Sequence, residues 1–391
     1  MKLVYVIDAL RTPFGSFGGS LSDVPAPRLA ATVIEKLLER NSLNGDHIDE
    51  VILGNVIGAG VGQAPARQAM RNAGLPDGIP ALTINKVCGS GLKSIMLGAG
   101  SIMLGDSGIV LAGGMENMSM APYALPNARS GYRLGNGEMT DLLIHDALLD
   151  PYSGKHMGMI TEACIKENGL GREDQDEFAI TSYKRAQTAM EEGRLGEEIV
   201  AVTKKSRKGD IVVSEDEEPT KVKFDRIPTL RPVFAKDGTI TAANASTIND
   251  GAAVVILAGE EQVEKYDLKP IAKIVSYSTH SKHPEQFPEA PVGSIEKACA
   301  NAKLSSDEVG LYEVNEAFSA VPMIAMKEFK IPSEKMNVNG GAVSIGHPVG
   351  ASGGRLATTL IKEMHRRNEQ YGLASLCIGG GEAVAVIFEK V

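Results

Sequence analysis

Leu43–Asn55 reads LNGDHIDEVILGN, and Leu304–Asn315 reads LSSDEVGLYEVN. In each stretch a polar turn runs into a short apolar strand that ends on an asparagine. Leu43 and Leu304 are 261 positions apart, Asn55 and Asn315 260, and Cys88 and His347 259. Each half then finishes with a strand entering a glycine cluster, LAGG at 111–114 and LCIGGG at 376–381. One supersecondary plan used twice accounts for this spacing, and it places equivalent turns near a shared interface.

Working outward, strand-like and helical runs alternate. VYVIDAL reads as a strand and is followed by a helix over Ala26–Arg40. DEVILGNVI and ALTINKV are strands, SGLKSIMLGAGSIMLG is a helix and GIVLAGGME is a strand again. Alternation of this kind predicts an α/β protein. Residues 118–245 differ in character. They hold GYRLGNGE, the helical stretch REDQDEFAITSYKRAQTAMEEG and the run KKSRKGDIVVSEDEEPTKVKFDR. That last run is too charged to be core. It predicts either a solvated face or a lid presenting cations to a phosphate-bearing ligand.

The chain of 391 residues is long for one core and predicts two or three domains. Apolar residues make up 43% and charged residues 23%, which excludes global disorder. The net charge of −9 argues against a general nucleic-acid binder. Four cysteines, at 88, 164, 299 and 377, show no C-x-x-C pairing, so neither zinc nor a disulfide framework is expected. The opening MKLVYVIDALRTPFG has the form of neither a signal nor a transit peptide. No apolar stretch is expected to reach membrane-spanning length. The chain reads as soluble and intracellular, and no membrane partner is expected.

Four stretches can carry chemistry. In NKVCGSGLKSI, Cys88 lies between a strand end and a helix opened by Gly89 and Gly91. The positive end of that helix would favour thiolate over thiol, although a free cysteine is often just a small buried hydrophobe. In NVNGGAVSIGHPVGASGGR, His347 is fixed between Gly346 and Pro348. An imidazole there can take a thiol proton. The glycines resemble a dinucleotide loop, but Pro348 interrupts it and no fitting acidic residue follows. In LCIGGGEAVAVIF, Cys377 precedes three glycines whose bare amides can donate to developing negative charge. In LYEVNEAFSA, Asn315 can donate to a carbonyl oxygen directly or through water, or cap a helix. Two cysteines, a histidine and an asparagine at strand ends beside glycine turns suit acyl transfer followed by carbanion chemistry. Cys164 and Cys299 fall in helical runs and are assigned to packing.

NKVCGSGLK, GGMENMS, HMG, NASTINDGAA, VNEAFS, NGGAVSIGHPVGASGGR and LCIGGG, in that order and over nearly the whole length, resemble the thiolase family. The resemblance implies two similar βαβαβαββ domains in a five-layer αβαβα arrangement with an inserted loop domain. The domains implied are 1–117 with about 246–268, a loop domain at 118–245, and 269–391. It also implies an acetyl-CoA C-acetyltransferase: reversible condensation of two acetyl-CoA to acetoacetyl-CoA through an acetyl group on Cys88. His347 would activate Cys88, and Cys377 would move the carbon-bound proton. Asn315 with a water, and His347, would hold the enolate oxygen. The amides of Cys88 and Gly379 would form a second oxyanion hole.

Among thiolases, TAANASTINDGAA, SYKRAQ, KVKFDRIPTL and FPEAPV resemble the potassium-activated, mitochondrial-type acetoacetyl-CoA subgroup. That likeness would put potassium on Tyr183 and the carbonyls of Ala242, Ala243, Ala245 and Val343. Lys221, Arg226 and Ser246 would contact coenzyme A, a co-substrate, with no covalent cofactor. Phe287 and Pro288 would admit a 2-methyl branch, and Met157 in HMG marks a short-chain pocket. A broader or long-chain 3-ketoacyl-CoA thiolase is the alternative. A homotetramer with an arm near Leu125–Met139 is implied, in the cytoplasm, or in the mitochondrial matrix if a presequence has been removed. Decarboxylating relatives of the fold commonly use one cysteine and two histidines, which Cys377 counts against.

Overall fold

The computed structural model describes residues 2–207 and 209–391. The first half is built from strands β1 (Val4–Arg11), β2 (Glu50–Gly54), β3 (Ala81–Ile84), β4 (Ile109–Asn117) and β5 (Asn249–Gly259), with helices α1 (Ala26–Arg40), α2 (Pro65–Asn72) and α3 (Ser90–Leu104). Its strand order is β3-β2-β4-β5-β1, parallel from β3 to β4 and antiparallel from β4 to β1. β5 lies beyond the long insertion, so the chain returns to complete the sheet it left at β4.

The second half repeats the plan with β6 (Ala272–Ser281), β7 (Leu311–Val314), β8 (Tyr371–Ile378) and β9 (Glu382–Lys390). The order is β7-β8-β9-β6, again parallel first and antiparallel after. The counterpart of β3 has shrunk to a single parallel bridge, Tyr312 to Met336. The two sheets meet through the short ladder Tyr5–Lys273 and Val6–Ala272.

Three apolar clusters separate the layers. α1 and α2 cover the outer face of the first sheet. α3 and a helix from the second half, α8 (Ser352–Arg367), are sandwiched between the sheets. α6 (Ala290–Ala302) and α7 (Ala320–Phe329) cover the outer face of the second sheet. The result is a five-layer αβαβα stack. β5, NDGAAVVILAG, is buried at every position because both its faces carry helices.

One stretch corrects the expectation about length. Val87–Leu104 is long and apolar enough to cross a bilayer, with mean hydropathy 1.4 over 18 residues. Its residues from Ser90 onward form the central-layer helix α3, and 56% of the window is buried, because a helix packed between two sheets is apolar over most of its surface.

The inserted stretch carries α4 (Met157–Asn168) and α5 (Arg172–Glu191). Its charged run is not wholly solvated. Asp216 is 2% exposed and takes both terminal nitrogens of Arg11 at 2.7 and 2.8 Å. Arg11 Nε also meets Glu198 at 2.6 Å, and Glu198 accepts from Thr359 of α8 at 3.0 Å. A buried arginine of β1 thus recruits its counter-charge from the insertion.

Candidate active site

After β3 the chain turns sharply. Val87 takes the left-handed conformation at φ 45°, and the turn closes with Gly89 N to Lys86 O at 3.0 Å and Ser90 N to Val87 O at 3.1 Å. Cys88 stands at the tip, just before α3. A β-carbon on Gly91 would meet Gly354 N at 2.8 Å and Gly350 O at 3.0 Å, so glycine lets α3 rest on the backbone that follows His347.

His347 does not end a strand as the sequence suggested. It stands in the turn between the short helix Ala342–Ile345 and α8, because Gly346 and Pro348 break the chain there, and it is held on three sides. Its amide donates to Asn249 Oδ1 at 3.0 Å. Its Nδ1 lies 2.5 Å from Ser352 Oγ, and that hydroxyl donates to Pro348 O at 3.0 Å. Ser352 therefore accepts from Nδ1–H, a tautomer assigned from the hydrogen-bond network, and Nε2 carries the lone pair. Asn315 Nδ2 is 3.4 Å from Nε2, and Asn315 Oδ1 is buried without a hydrogen-bond partner.

Cys88, His347, Cys377 and Gly379 line one cavity of about 290 Å³. Met157, Ala245, Ser246 and Phe287 share its wall. Asn315 is fully buried and reaches the site through its contact with His347, and Pro288 is buried outside the lining. A second, larger cavity of about 540 Å³ holds Tyr183, Lys221, Arg226, Ala242 and Ala243, and Thr247 borders both. Val343 is fully buried against Tyr183.

Other lining residues went unread in the sequence. His156 stacks on Phe234 at 4.7 Å, Phe234 meets Phe318 edge-on at 6.1 Å, and Phe287 meets Phe318 at 6.5 Å. His156 and Phe318 sit inside HMG and VNEAFS, where flanking position was a usable signal. Phe234 sits in the insertion and carried none. Lys223 and Arg231 add two cations to the outer cavity.

The electrostatics differ from the expectation for Cys88. Burial pushes its thiol up to about 11, although the Gly379 amide hydrogen-bonded to it, and its own amide, pull it down. Desolvation of the charged form outweighs the helix terminus. Burial, then the Arg355 charge, drives His347 down to about 3. Cys377 is raised well above the usual thiol range by burial, with the Cys88 sulfur adding to it. The resting site is uncharged at these three groups.

The family sequence model described as thiolase, N-terminal domain, matches residues 4–261, and that for the thiolase C-terminal domain matches 268–390. The chain belongs to the thiolase family. Thiolases are acyltransferases, and this one is an enzyme of that class. A probable acetyl-CoA acyltransferase of Staphylococcus aureus (strain NCTC 8325 / PS 47) is 45% identical, with all of both chains covered. An acetyl-CoA acetyltransferase of Cupriavidus necator is 47% identical over the same full coverage. The crystal structure of the Bacillus anthracis acetyl-CoA acetyltransferase superposes with a TM-score of 0.98 at 40% identity, covering 100% of this thiolase and 99% of that chain.

Proposed function

We propose that this thiolase is an acetyl-CoA C-acetyltransferase, condensing two acetyl-CoA to acetoacetyl-CoA and coenzyme A, and running in reverse as thiolysis. The observation that carries it is the convergence of Cys88, Cys377, Gly379 and His347 on one cavity. His347 Nε2 takes the Cys88 proton as the sulfur attacks the thioester carbonyl. The amides of Cys88 and Gly379 receive the oxyanion, and losing one such donor typically costs about 2.7–4 kcal/mol. Cys377, resting as a thiol, protonates the departing coenzyme A thiolate and becomes the base. It then removes a methyl proton from the second acetyl-CoA. The enolate oxygen is held by His347 and by Asn315 through water. The enolate attacks the acetyl group, and Cys88 leaves as thiolate and regains its proton from His347.

Short substrates are favoured. Phe234, Phe287 and Phe318 narrow a cavity of about 290 Å³, which supports C4–C5 chains over long ones and leaves a 2-methyl branch, beside Phe287 and Pro288, as the finer assignment. Lys221 and Arg226, with Lys223 and Arg231, support coenzyme A in the outer cavity that meets the inner one at Thr247. For potassium, Tyr183 and the carbonyls of Ala242, Ala243, Ala245 and Val343 form an oxygen-only set that suits a hard cation. What supports this reading is that Tyr183, Ala242 and Ala243 line the outer cavity and Val343 packs against Tyr183, with Glu218 and Glu316 adding negative charge near the phenol. A bound potassium would stiffen this loop beside the two cavities. Residues 118–245 act as a coenzyme A-binding insertion. Leu125, Leu134 and Met139, 49%, 100% and 68% exposed, support a tetramer arm. The bacterial relatives support the cytoplasm over the mitochondrial matrix.

The test is brief incubation with acetyl-CoA followed by peptide mass mapping. Cys88 is expected to gain the acetyl group, and Cys88→Ser to abolish turnover. Acetyl found elsewhere, with Cys88 free and reactive, would overturn the assignment. Thiolysis of acetoacetyl-CoA, its 2-methyl analogue and a C10 ketoacyl-CoA, each in potassium and in sodium, reads chain length, branch and ion together. Equal rates in the two salts would remove the ion site, and a faster C10 substrate would favour the long-chain alternative.

A further inference from the structure

Behind the cavity lies a carboxylate that the chemistry above does not use. Glu116, near the end of β4, is 0% exposed. Its Oε2 accepts from Val56 N at 2.9 Å and from Gly350 N at 3.0 Å. Its Oε1 accepts from Asn55 Nδ2 at 2.8 Å and from Ile57 N at 3.2 Å. Three of these donors belong to the loop after β2, in the first half. The fourth follows His347 by three residues, in the second half. One carboxylate therefore joins the two halves where the Cys88 side meets the His347 side.

The backbone around it is packed closely enough that side chains are excluded at three glycines. A β-carbon on Gly350 would meet Met115 O at 2.5 Å and Glu116 Oε2 at 2.7 Å. One on Gly114 would meet Gly350 O at 1.9 Å, and one on Gly54 would meet the same oxygen at 3.0 Å. The loop that Glu116 holds also shapes the cavity wall. Val56 and Ile57 pack with Met118 and Val349, both of which line the cavity, and against Cys88.

We propose that Glu116 is a positioning residue, whose carboxylate fixes the His347 turn and the pocket wall relative to Cys88 by gathering amides from both halves of the fold. This rests on Cys88 being the acyl acceptor. The effect follows from geometry. A general base works at hydrogen-bond reach, so letting Gly350 drift moves Nε2 away from the thiol without touching the outer cavity. Glutamine keeps the shape but turns an NH2 group toward amides that need an acceptor, so part of the clamp is lost.

The experiment is single-turnover acetylation of the full-length enzyme by acetyl-CoA, followed by mass mapping at Cys88. Glu116→Gln is expected to slow acetylation at saturation by at least about tenfold, because near-attack geometry is sensitive to small displacements. The half-saturating acetyl-CoA concentration should stay within about threefold, which separates loss of transition-state alignment from loss of binding. A rate within about twofold of wild type overturns the proposal, as does a fall matched by an equal rise in half-saturation. If wild type is acetylated and Glu116→Gln is equally fast, only this proposal fails; if wild type takes no acetyl on Cys88, the acyl-acceptor assignment fails and carries the proposal with it. Should Glu116→Gln not fold, Asn55→Ser removes one of the four donors and is read in the same assay. A slowing of about threefold or more at constant half-saturation supports the clamp, and an unchanged rate overturns it.

Discussion

Burial pushes the Cys88 thiol up to about 11 and the His347 imidazole down to about 3. Each shift has burial as its main cause, and burial favours the neutral form of both groups. That cost has a signature in stability. His347 is free to protonate in the unfolded chain near its ordinary value of about 6.5, but not in the folded one. Between pH 6.5 and 3 the unfolded state binds the extra proton, so stability rises with pH and falls on acidification. Relative to His347→Asn, wild type should lose roughly 1.4 kcal/mol per pH unit through this window. Urea titrations of both proteins at pH 5 and pH 7 measure it. Parallel losses in the two proteins would mean that the buried imidazole carries no such penalty.

At the scale of elements, the glycines of β2, α3 and β4 explain why the His347 turn can reach the Cys88 elbow. Gly54, Gly91 and Gly114 all face Gly350 O, and Gly114 is the tightest. A methyl group there cannot be accommodated by a flexible side chain, because its neighbour is backbone. Gly114→Ala should therefore destabilise the fold by about 1–3 kcal/mol or more through overpacking. It should also slow Cys88 acetylation, since the turn it displaces carries His347 three residues earlier. Thermal melting with single-turnover acetylation checks both outcomes. A variant as stable and as fast as wild type would show that β4 and the turn can separate freely. The elbow and the turn are matched in this respect, each delivering its reactive group at the start of a central-layer helix.

Over the whole molecule, Arg11 marks the point where the first half, the insertion and the second half are held together. Its guanidinium is 0% exposed and pairs with Glu198 and Asp216, while Glu198 also accepts from Thr359. Arg11→Met would leave two buried carboxylates without their cation, a loss of about 3–5 kcal/mol. Arg11→Lys should recover little, because an ammonium cannot reproduce the forked contact to Asp216 while also reaching Glu198. Denaturant unfolding of the three proteins tests this, and full recovery by lysine would mean that charge alone, without fork geometry, suffices.

The sequence alone determined the alternation of strands and helices, the twofold use of one plan, and the positions of Cys88, Cys377 and Asn315 at or just after strand ends. These are local properties, set by hydrophobic period and by turn chemistry within a few residues. Tertiary structure decided what depends on distant segments meeting. Asp216 in an apparently solvated run became the buried partner of Arg11, and Ser90–Leu104 became a core helix. Phe234 reached the cavity wall from the insertion. Cys88, beside a helix terminus, was left a reluctant acid. In each case the deciding quantity was desolvation by chain hundreds or dozens of residues away, and burial of that kind leaves no mark on the residues next to the one buried.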